Sequence, residues 1–317
     1  MFKMLKRNYD VVSLVGALLF LLAAIMDPYI TATRNIHGYL VFVDVTQSMN
    51  VQDVRFSGKP ISRLEYTKLL LKRVVKTLPC GSNMGLGIFF KNSAAVLYTP
   101  LETCSNYDVL IDTIDHLEWR MASHGSSNIR LGLQSISSII STLGEPAQVV
   151  FITDGEEAPP LNVFSKTKLS DWQGGQNWLL VGVGGNRPTP VPKLDENNKV
   201  IGYWSIYSVK IQPATQVNEG PNDARDESIA TESYEYYLSK LDEPYLKELA
   251  IDINARYIRA DSAEKLIEAM QLQQTSPRIH SRFQIKNILA FCAFILVISY
   301  YLKDMIRAIT SMRKHRI

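Results

Sequence analysis

The sequence predicts an α/β fold, a mostly parallel central sheet with helices on both faces, flanked by an apolar helix towards each end of the chain. Three observations predict it. Short runs of apolar, strand-favouring residues alternate with segments whose apolar residues recur at helical spacing, the pattern of strand–helix units in a parallel sheet. The first of these runs, residues 39–43, ends in Asp44 followed by hydroxyls at Thr46 and Ser48. That places hard oxygen donors at the carboxyl end of a strand, where ligands gather in open α/β sheets. Two longer apolar runs, residues 11–26 and 287–302, lie outside this alternation.

At 317 residues the chain can hold one large α/β domain with additions, or two modest ones. An apolar content of 46% excludes wholesale disorder. Net charge is only +3, but it is unevenly spread. Lys3, Lys6 and Arg7 precede the first apolar run and Arg278, Arg282 and Lys286 precede the last. Lys303, Arg307, Arg313, Lys314 and Arg316 follow it, so the middle of the chain is mildly acidic. Basic ends around an acidic middle point to a membrane protein and away from a nucleic-acid binder.

The first apolar run, with Ile30 and its neighbours, just reaches across a bilayer. The Ala23-Ala24-Ile25-Met26-Asp27-Pro28 stretch lacks a clean A-x-A cleavage site, which favours an uncleaved anchor over a signal peptide. The second run carries Tyr300 and Tyr301 as interfacial anchors; a buried core helix is the alternative, but the rest of the chain offers nothing to bury it against. Lys and Arg stay on the cytoplasmic side, so the cations of 3–7 and 303–316 put both ends inside, with those of 278–286 opposing. The expected organisation is a cytoplasmic stub and anchor at 1–30, a periplasmic domain at 37–275, a second transmembrane helix at 286–303 and a basic cytoplasmic tail at 304–317. The setting is a bacterial inner membrane.

Within the middle, residues 39–43 read as a central strand, apolar throughout because both faces are covered. From 61 to 78, Leu64, Leu70, Leu71, Val74, Val75 and Leu78 recur at helical spacing and stop at Pro79. Residues 84–90 and 94–98 read as strands joined in a hairpin across Lys91-Asn92-Ser93. Cys80 precedes the first and Cys104 follows the second, so the hairpin brings them within bridging reach. With Cys292 inside the last apolar run, a Cys80–Cys104 disulfide fits an oxidising compartment; two free thiols in a cytosolic loop are the alternative.

A helix is expected at 105–119, capped by Ser105 or Asn106, and another at 128–143, ended by Gly144 and Glu145-Pro146. Strands at 148–152 and 178–183 follow. Gly182-Val183-Gly184-Gly185 reads as a turn, because Arg187-Pro188 replaces the third glycine of a dinucleotide loop. Prolines at 188, 190 and 192 and later acid-rich and amide-rich stretches define an insertion at 186–236, with one hairpin near 200–211. Residues 243–250 form a helix with Pro244 in its first turn, 256–259 a short strand and 263–272 the last helix before the second apolar run.

Asp44, Thr46 and Ser48 taken alone also suit turn capping. Their D-x-T-x-S pattern resembles the D-x-S-x-S metal-ion-dependent adhesion site of von Willebrand factor A domains, with Thr46 for the first Ser. Gly125-Ser126-Ser127-Asn128-Ile129 resembles that family's G-T-N-[IL] loop, with Ser127 at the Thr position, and Thr153-Asp154-Gly155 ends a strand where the family has its later acid. The resemblance covers residues 37–155 and implies a Rossmann-like fold. It also implies Mg²⁺, or another divalent cation, ligated directly by Thr46, Ser48 and Ser127, with Asp44 and Asp154 acting through waters. One position is left for a carboxylate from a partner protein, and a water-retaining octahedral site suits Mg²⁺ better than Ca²⁺. Asp53, Glu156 and Glu157 are expected as solvated loop acids. Asp44→Ala is expected to abolish partner capture and leave the domain folded, its role lying at the rim.

Arg63-Leu64-Glu65-Tyr66-Thr67-Lys68 resembles the R-L-x-x-x-K helix opening of bacterial membrane-bound A domains, the Bat type among them. Residues 44–49, Leu78-Pro79-Cys80-Gly81-Ser82, Cys104-Ser105-Asn106-Tyr107-Asp108 and Trp119-Arg120-Met121-Ala122 resemble the membrane-anchored accessory proteins of bacterial methanol oxidation, the MxaL and MxaC type. That resemblance implies a non-catalytic assembly factor for periplasmic methanol dehydrogenase, including its Ca²⁺ loading, with other A-domain accessory proteins as further partners. The alternative is a Bat-type envelope or stress protein working with a MoxR-type ATPase.

A haloacid-dehalogenase-like phosphotransferase would also place a strand-end Asp beside Mg²⁺. Gln47 replaces the glycine of its first motif, however, and its later motif lacks the paired acid. His37, His116, His124, His280 and His315 have no metal-ligand spacing. His124, in the Ser127 loop, is the one placed to sense pH at the rim.

Overall fold

Six strands form the central sheet: Gly38–Asp44 (β1), Asn83–Phe90 (β2), Ser93–Glu102 (β3), Gln148–Thr153 (β4), Trp178–Gly182 (β5) and Arg256–Arg259 (β6). Their spatial order is β6-β5-β4-β1-β2-β3, parallel throughout except for the β2–β3 hairpin. The computed structural model describes residues 2–26, 28–33, 37–122, 127–143, 147–158, 169, 177–208, 229–273 and 280–314. It comprises two units, residues 35–277 and residues 1–34 with 278–317.

β1 lies between β2 and β4, which accounts for its unbroken apolar run. Tyr39, Val41 and Val43 face one core, and Leu40 and Phe42 face the other. The first core is closed by the helices Arg63–Thr77 (α1) and Tyr107–Asp115 (α2), through Leu64, Leu71, Val74, Leu110 and Ile114. The second is closed by Ile129–Thr142 (α3) and Glu243–Asp252 (α4), through Ile129, Leu133, Leu246 and Leu249. Ala263–Gln271 (α5) returns to the first face with Leu266 and Met270. Each fully buried side chain of this size contributes about 1.5–3 kcal/mol.

Helix starts are capped by the expected side-chain types. Ser62 Oγ accepts from Glu65 N, Asn128 Oδ1 from Leu131 N, Asp242 Oδ1 from Tyr245 N and Ser262 Oγ from Lys265 N. Caps of this kind are each worth about 1 kcal/mol. The helix expected at 105–119 is shorter, ending at Asp115, with a single 3-10 turn at Trp119–Met121; between them Leu117 turns into the core. Asn106, one of the two expected capping residues, holds its N-cap position, but its side chain makes no capping hydrogen bond there. Asn106 donates to the Glu102 carbonyl, and the Glu102 carboxylate takes the amides of Gly81 and Ser105. The β2–β3 hairpin pairs Asn83 with Glu102 and holds the Cys80–Cys104 disulfide at its open end, Cα to Cα 5.2 Å.

The insertion is built differently from expectation. Its hairpin pairs Pro192–Leu194 with Val200–Tyr203, upstream of the predicted position, and Thr189–Pro190 pairs with Leu238–Ser239. Val191 and Trp204 form a small core with Val51 of the loop after β1, so burial at Val191 draws the strand forward. Residues 209–228 of the insertion, His124, Gly125, Ser126 and the 144–146 stop signal lie outside the described residues.

In the terminal unit, helices Phe2–Ile25 and Lys286–Lys314 are joined to strands Tyr29–Thr33 and His280–Gln284, which pair antiparallel. The last helix therefore has a partner, contrary to the expectation that nothing was available to bury it. Ser13, Ala17 and Ala293 are buried, and a Cβ on Gly16 would sit 3.3 Å from Leu296 Cδ1. Leu14, Leu18, Leu19, Phe291 and Phe294 are exposed. Among the described residues, no helix is long and apolar enough to cross a membrane.

Candidate metal centre

The sheet order reverses direction beside β1, with β2 on one side and β4 on the other, and the candidate residues lie at the carboxyl ends of β1 and β4. Asp44, the last residue of β1, is completely buried. Its Oδ1 accepts from the Thr46 amide at 2.9 Å and from Thr46 Oγ1 at 2.6 Å; Oδ2 accepts from Thr153 Oγ1 at 2.6 Å. Ser48 Oγ lies 3.2 Å from Thr46 Oγ1. Because Thr46 gives its proton to Asp44, Ser48 is the donor in that contact, and both hydroxyls keep lone pairs for a further partner.

Asp154 follows β4, and the Glu156 amide donates to its Oδ1 at 3.0 Å. Its Oδ2 accepts from Arg63 Nη1 at 2.6 Å. Arg63 opens α1 and is wholly buried. It also donates to the Ser48 carbonyl at 3.4 Å, to Ser239 Oγ at 2.7 Å and through Nε and Nη2 to Asp53. Burial works against its charge, but Asp154 and Asp53 outweigh it and hold the guanidinium protonated more firmly than usual. Gly184 makes the room: its φ is +139°, and a Cβ there would lie 2.8 Å from Arg63 Nε.

Ser127 is tied into the same end of the sheet by paired backbone bonds with Ala158, four residues beyond Asp154. Its hydroxyl is buried and has no hydrogen-bond partner among the described residues. Nothing described bonds it directly to Asp44, Thr46 or Ser48.

Three acids differ from expectation. Asp53 is not solvated; its carboxylate accepts from Arg63 and from the Gly185 amide at 2.8 Å, leaving the side chain 7% exposed. Glu156 and Glu157 are also largely withdrawn from solvent. Burial, then the charge of Asp154, pushes Glu156 up to about 7 against the hydroxyls of Ser239 and Tyr237. Burial pushes Glu157 to about 7 against the hydroxyl of Tyr245. Asp44 reaches about 7 for the same leading reason, followed by the charge of Asp154, with Thr153 and Thr46 opposing. Its three buried hydrogen bonds also correct the expectation for Asp44→Ala. That change removes acceptors from buried donors, at about 1–3 kcal/mol for each group left unsatisfied.

These residues fit a hard divalent cation. The donors are hydroxyls and carboxylates, one buried hydroxyl has no partner among the described residues, and two acids stand close enough for one to raise the other's pKa, a repulsion that a cation relieves. Asp154 is already engaged at both oxygens, which suits a contribution through water. Among the described residues, no three His, Cys, Asp or Glu side chains form a group that could hold a metal, so the site depends on its hydroxyls. Arg63, Thr153 and Ser239 were not singled out as site residues from the sequence. Arg63 had a signal, a cation opening an apolar helix directly after the Asp44 loop; Ser239 had none, since its place depends on a contact 176 residues away.

Residues 39–157 match the family described as von Willebrand factor type A domain. A crystal structure of an aerotolerance-related membrane protein from Bacteroides fragilis is similar at 21% identity and a TM-score of 0.50, over 75% of this chain and 98% of that one. The conserved hypothetical protein BatB from Bacteroides thetaiotaomicron is similar at 19% identity and a TM-score of 0.50, over 74% and 97%. At these identities the likeness is one of fold. No curated protein matches the chain.

Proposed function

We propose, from the match of residues 39–157 to the von Willebrand factor type A domain family, a non-catalytic, membrane-anchored protein that captures a partner through a divalent cation. Thr46, Ser48 and Ser127 hold Mg²⁺ directly, and Asp44 and Asp154 hold its waters. The bound cation supplies a Lewis-acidic position for a carboxylate of the partner protein. The observation that carries this reading is the Thr46 hydroxyl, which donates to Asp44 and keeps a lone pair beside that of Ser48. Turn capping alone does not require a fully buried carboxylate to collect a side-chain proton, nor an orphaned hydroxyl on Ser127.

Anchoring is supported by the terminal unit, where small residues are buried and large apolar ones face outward, the arrangement helices adopt in lipid. The domain then lies in the periplasm, where the Cys80–Cys104 disulfide is stable.

Two settings suit such a module. The resemblance of residues 63–68 to the helix opening of Bat-type A domains supports an envelope role alongside a MoxR-type ATPase, and the fold likeness to BatB and to the aerotolerance-related membrane protein is in keeping with it. The L-P-C-G-S and C-S-N-Y-D segments, whose cysteines pair, resemble those of the methanol-oxidation accessory proteins, and on that resemblance we place the protein as an accessory factor of methanol dehydrogenase. The test is affinity recovery of the full chain from its native membranes, with Mg²⁺ and with EDTA. Metal-dependent recovery of methanol dehydrogenase or its accessory subunits supports maturation, and a MoxR-type ATPase recovered without them supports the envelope role. Recovery unchanged by EDTA rejects the metal as the means of capture.

A further inference from the structure

Beside the candidate metal centre is a cleft of about 370 Å³ lined by Glu156, Glu157, Tyr237, Ser239, Asp242 and Tyr245, with the exposed Lys240 at its rim. The chain reaches it by a turn at Gly155, whose φ is +80° and where a Cβ would meet Leu246 Cγ at 2.8 Å. Beyond that turn two consecutive glutamates line the cleft.

Each glutamate is satisfied on one side only. Glu157 Oε1 accepts from the Tyr245 hydroxyl at 2.6 Å and from the Ile129 amide at 3.1 Å. Glu156 accepts from the hydroxyls of Ser239 and Tyr237. The second oxygen of each, Oε2, is buried and has no hydrogen-bond partner among the described residues. Neither glutamate is in direct ion-pair contact with a cation among those residues; Arg63, which pairs with Asp53 and Asp154, acts on Glu156 only from further off, and Arg130, which pairs with Asp252 and Glu248, does the same to Glu157. Buried acceptors are almost always paired, so two on a single cleft without a partner among the described residues point to a ligand there.

A cationic N–H donor suits these two oxygens best, since hydrogen bonds from a charged donor to a carboxylate are the strong ones. A second metal ion is disfavoured. The third acid, Asp242, spends its carboxylate on capping α4, and no metal-holding group of three such side chains exists among the described residues. The aromatic side chains of Tyr237 and Tyr245 on the cleft wall suit an organic cation better than an inorganic one.

We propose that this cleft receives a lysine or arginine side chain of the captured protein, a few residues from the acid that reaches the metal centre. The proposal rests on the reading of that centre as the hook for an acidic residue. The two sites adjoin through Ser239, which lines the cleft and accepts from the same Arg63 nitrogen that holds Asp154. The recognised element is then an acid–base pair rather than an acid alone.

The test uses the full chain in detergent micelles and two kinds of probe. The first is n-butylammonium against 1-butanol, followed by saturation-transfer NMR with Mg²⁺ and with EDTA. The second is a set of acetylated, amidated peptides holding one Asp and one Lys separated by zero to three glycines, each compared with its norleucine counterpart by calorimetry in Mg²⁺. Expected are binding of the ammonium but not the alcohol, and lysine peptides that bind about tenfold more tightly than norleucine peptides at the best spacing. Both preferences are lost in Glu156→Gln/Glu157→Gln, which keeps an acceptor for Tyr245 and Ser239 but turns the orphaned oxygens into donors. Ammonium binding that survives EDTA while peptide binding never depended on metal leaves the cleft standing and rejects the metal centre. No ammonium preference in the wild type, a preference that survives the double substitution, or one extra equivalent of Mg²⁺ lost on that substitution overturns the cleft proposal.

Discussion

Nη1 of Arg63 lies 2.6 Å from Oδ2 of Asp154, and neither side chain has any exposure to solvent. The same guanidinium pairs with Asp53 at 2.6 Å, so one cation serves two acids. Arg63→Met strands both. Removing one partner of a buried pair costs about 3–5 kcal/mol, and urea unfolding of the full chain in EDTA should show a loss of that size. Added Mg²⁺ should recover part of it in the variant, because the ion offers Asp154 a replacement charge.

Asp44→Asn is the cleaner probe of the metal centre, since an amide oxygen still accepts from Thr46 and the fold is kept. Mg²⁺ affinity measured by calorimetry should fall about 10–100-fold, the usual effect of removing a group that orients ligands from behind. Unchanged affinity would remove Asp44 from the site.

Asp44, Glu156 and Glu157 all sit at about 7 in the folded chain, above their ordinary values near 4. The native state therefore holds their protons more tightly than the unfolded chain. Their contribution to stability is complete below about pH 4 and is lost as pH rises through about 7. In EDTA the melting temperature should drop by several °C, on the order set by one or two kcal/mol, between about pH 5 and pH 8. Glu157→Gln should flatten part of that slope.

Gly184→Ala puts a methyl group into Arg63 and forces an alanine to φ +139°. A loss of about 1–3 kcal/mol is expected from the backbone alone. Chemical denaturation of Gly184→Ala and Arg63→Met, singly and together, should give less than the sum of the two losses, since both act on the same guanidinium.

Cys80 and Cys104 are 24 residues apart and join the ends of one hairpin. Replacing both by Ser should cost about 2–4 kcal/mol, read as a lower urea midpoint that reductant does not lower further.

Most of the sheet was legible because its strands are buried on both faces and its helices on one. Continuous apolar runs at β1, β4 and β5 and helical spacing in α1 and α3 are direct imprints of those environments. The disulfide was legible for a related reason, as hairpin pairing is local. What escaped was set by distant contacts. Asp53 and Glu156 read as loop acids because nothing nearby reveals that Arg63 and Ser239 come to meet them. The insertion hairpin slipped upstream because Val191 is claimed by Val51, 140 residues earlier in the chain. Arg63 was visible as a helix-opening residue, but its role required the turn at Gly184.

The bonds that build the centre join residues far apart in the chain. Asp44 meets Thr153 across 109 residues, and Arg63 meets Ser239 across 176. Parallel strands are also slow to pair, since long loops must close first. The arrangement proposed as a hook therefore exists only in a molecule whose sheet is complete and whose late segment has docked. A partner captured as proposed would be held by a finished copy, so that capture would double as a check on the captor's own maturation.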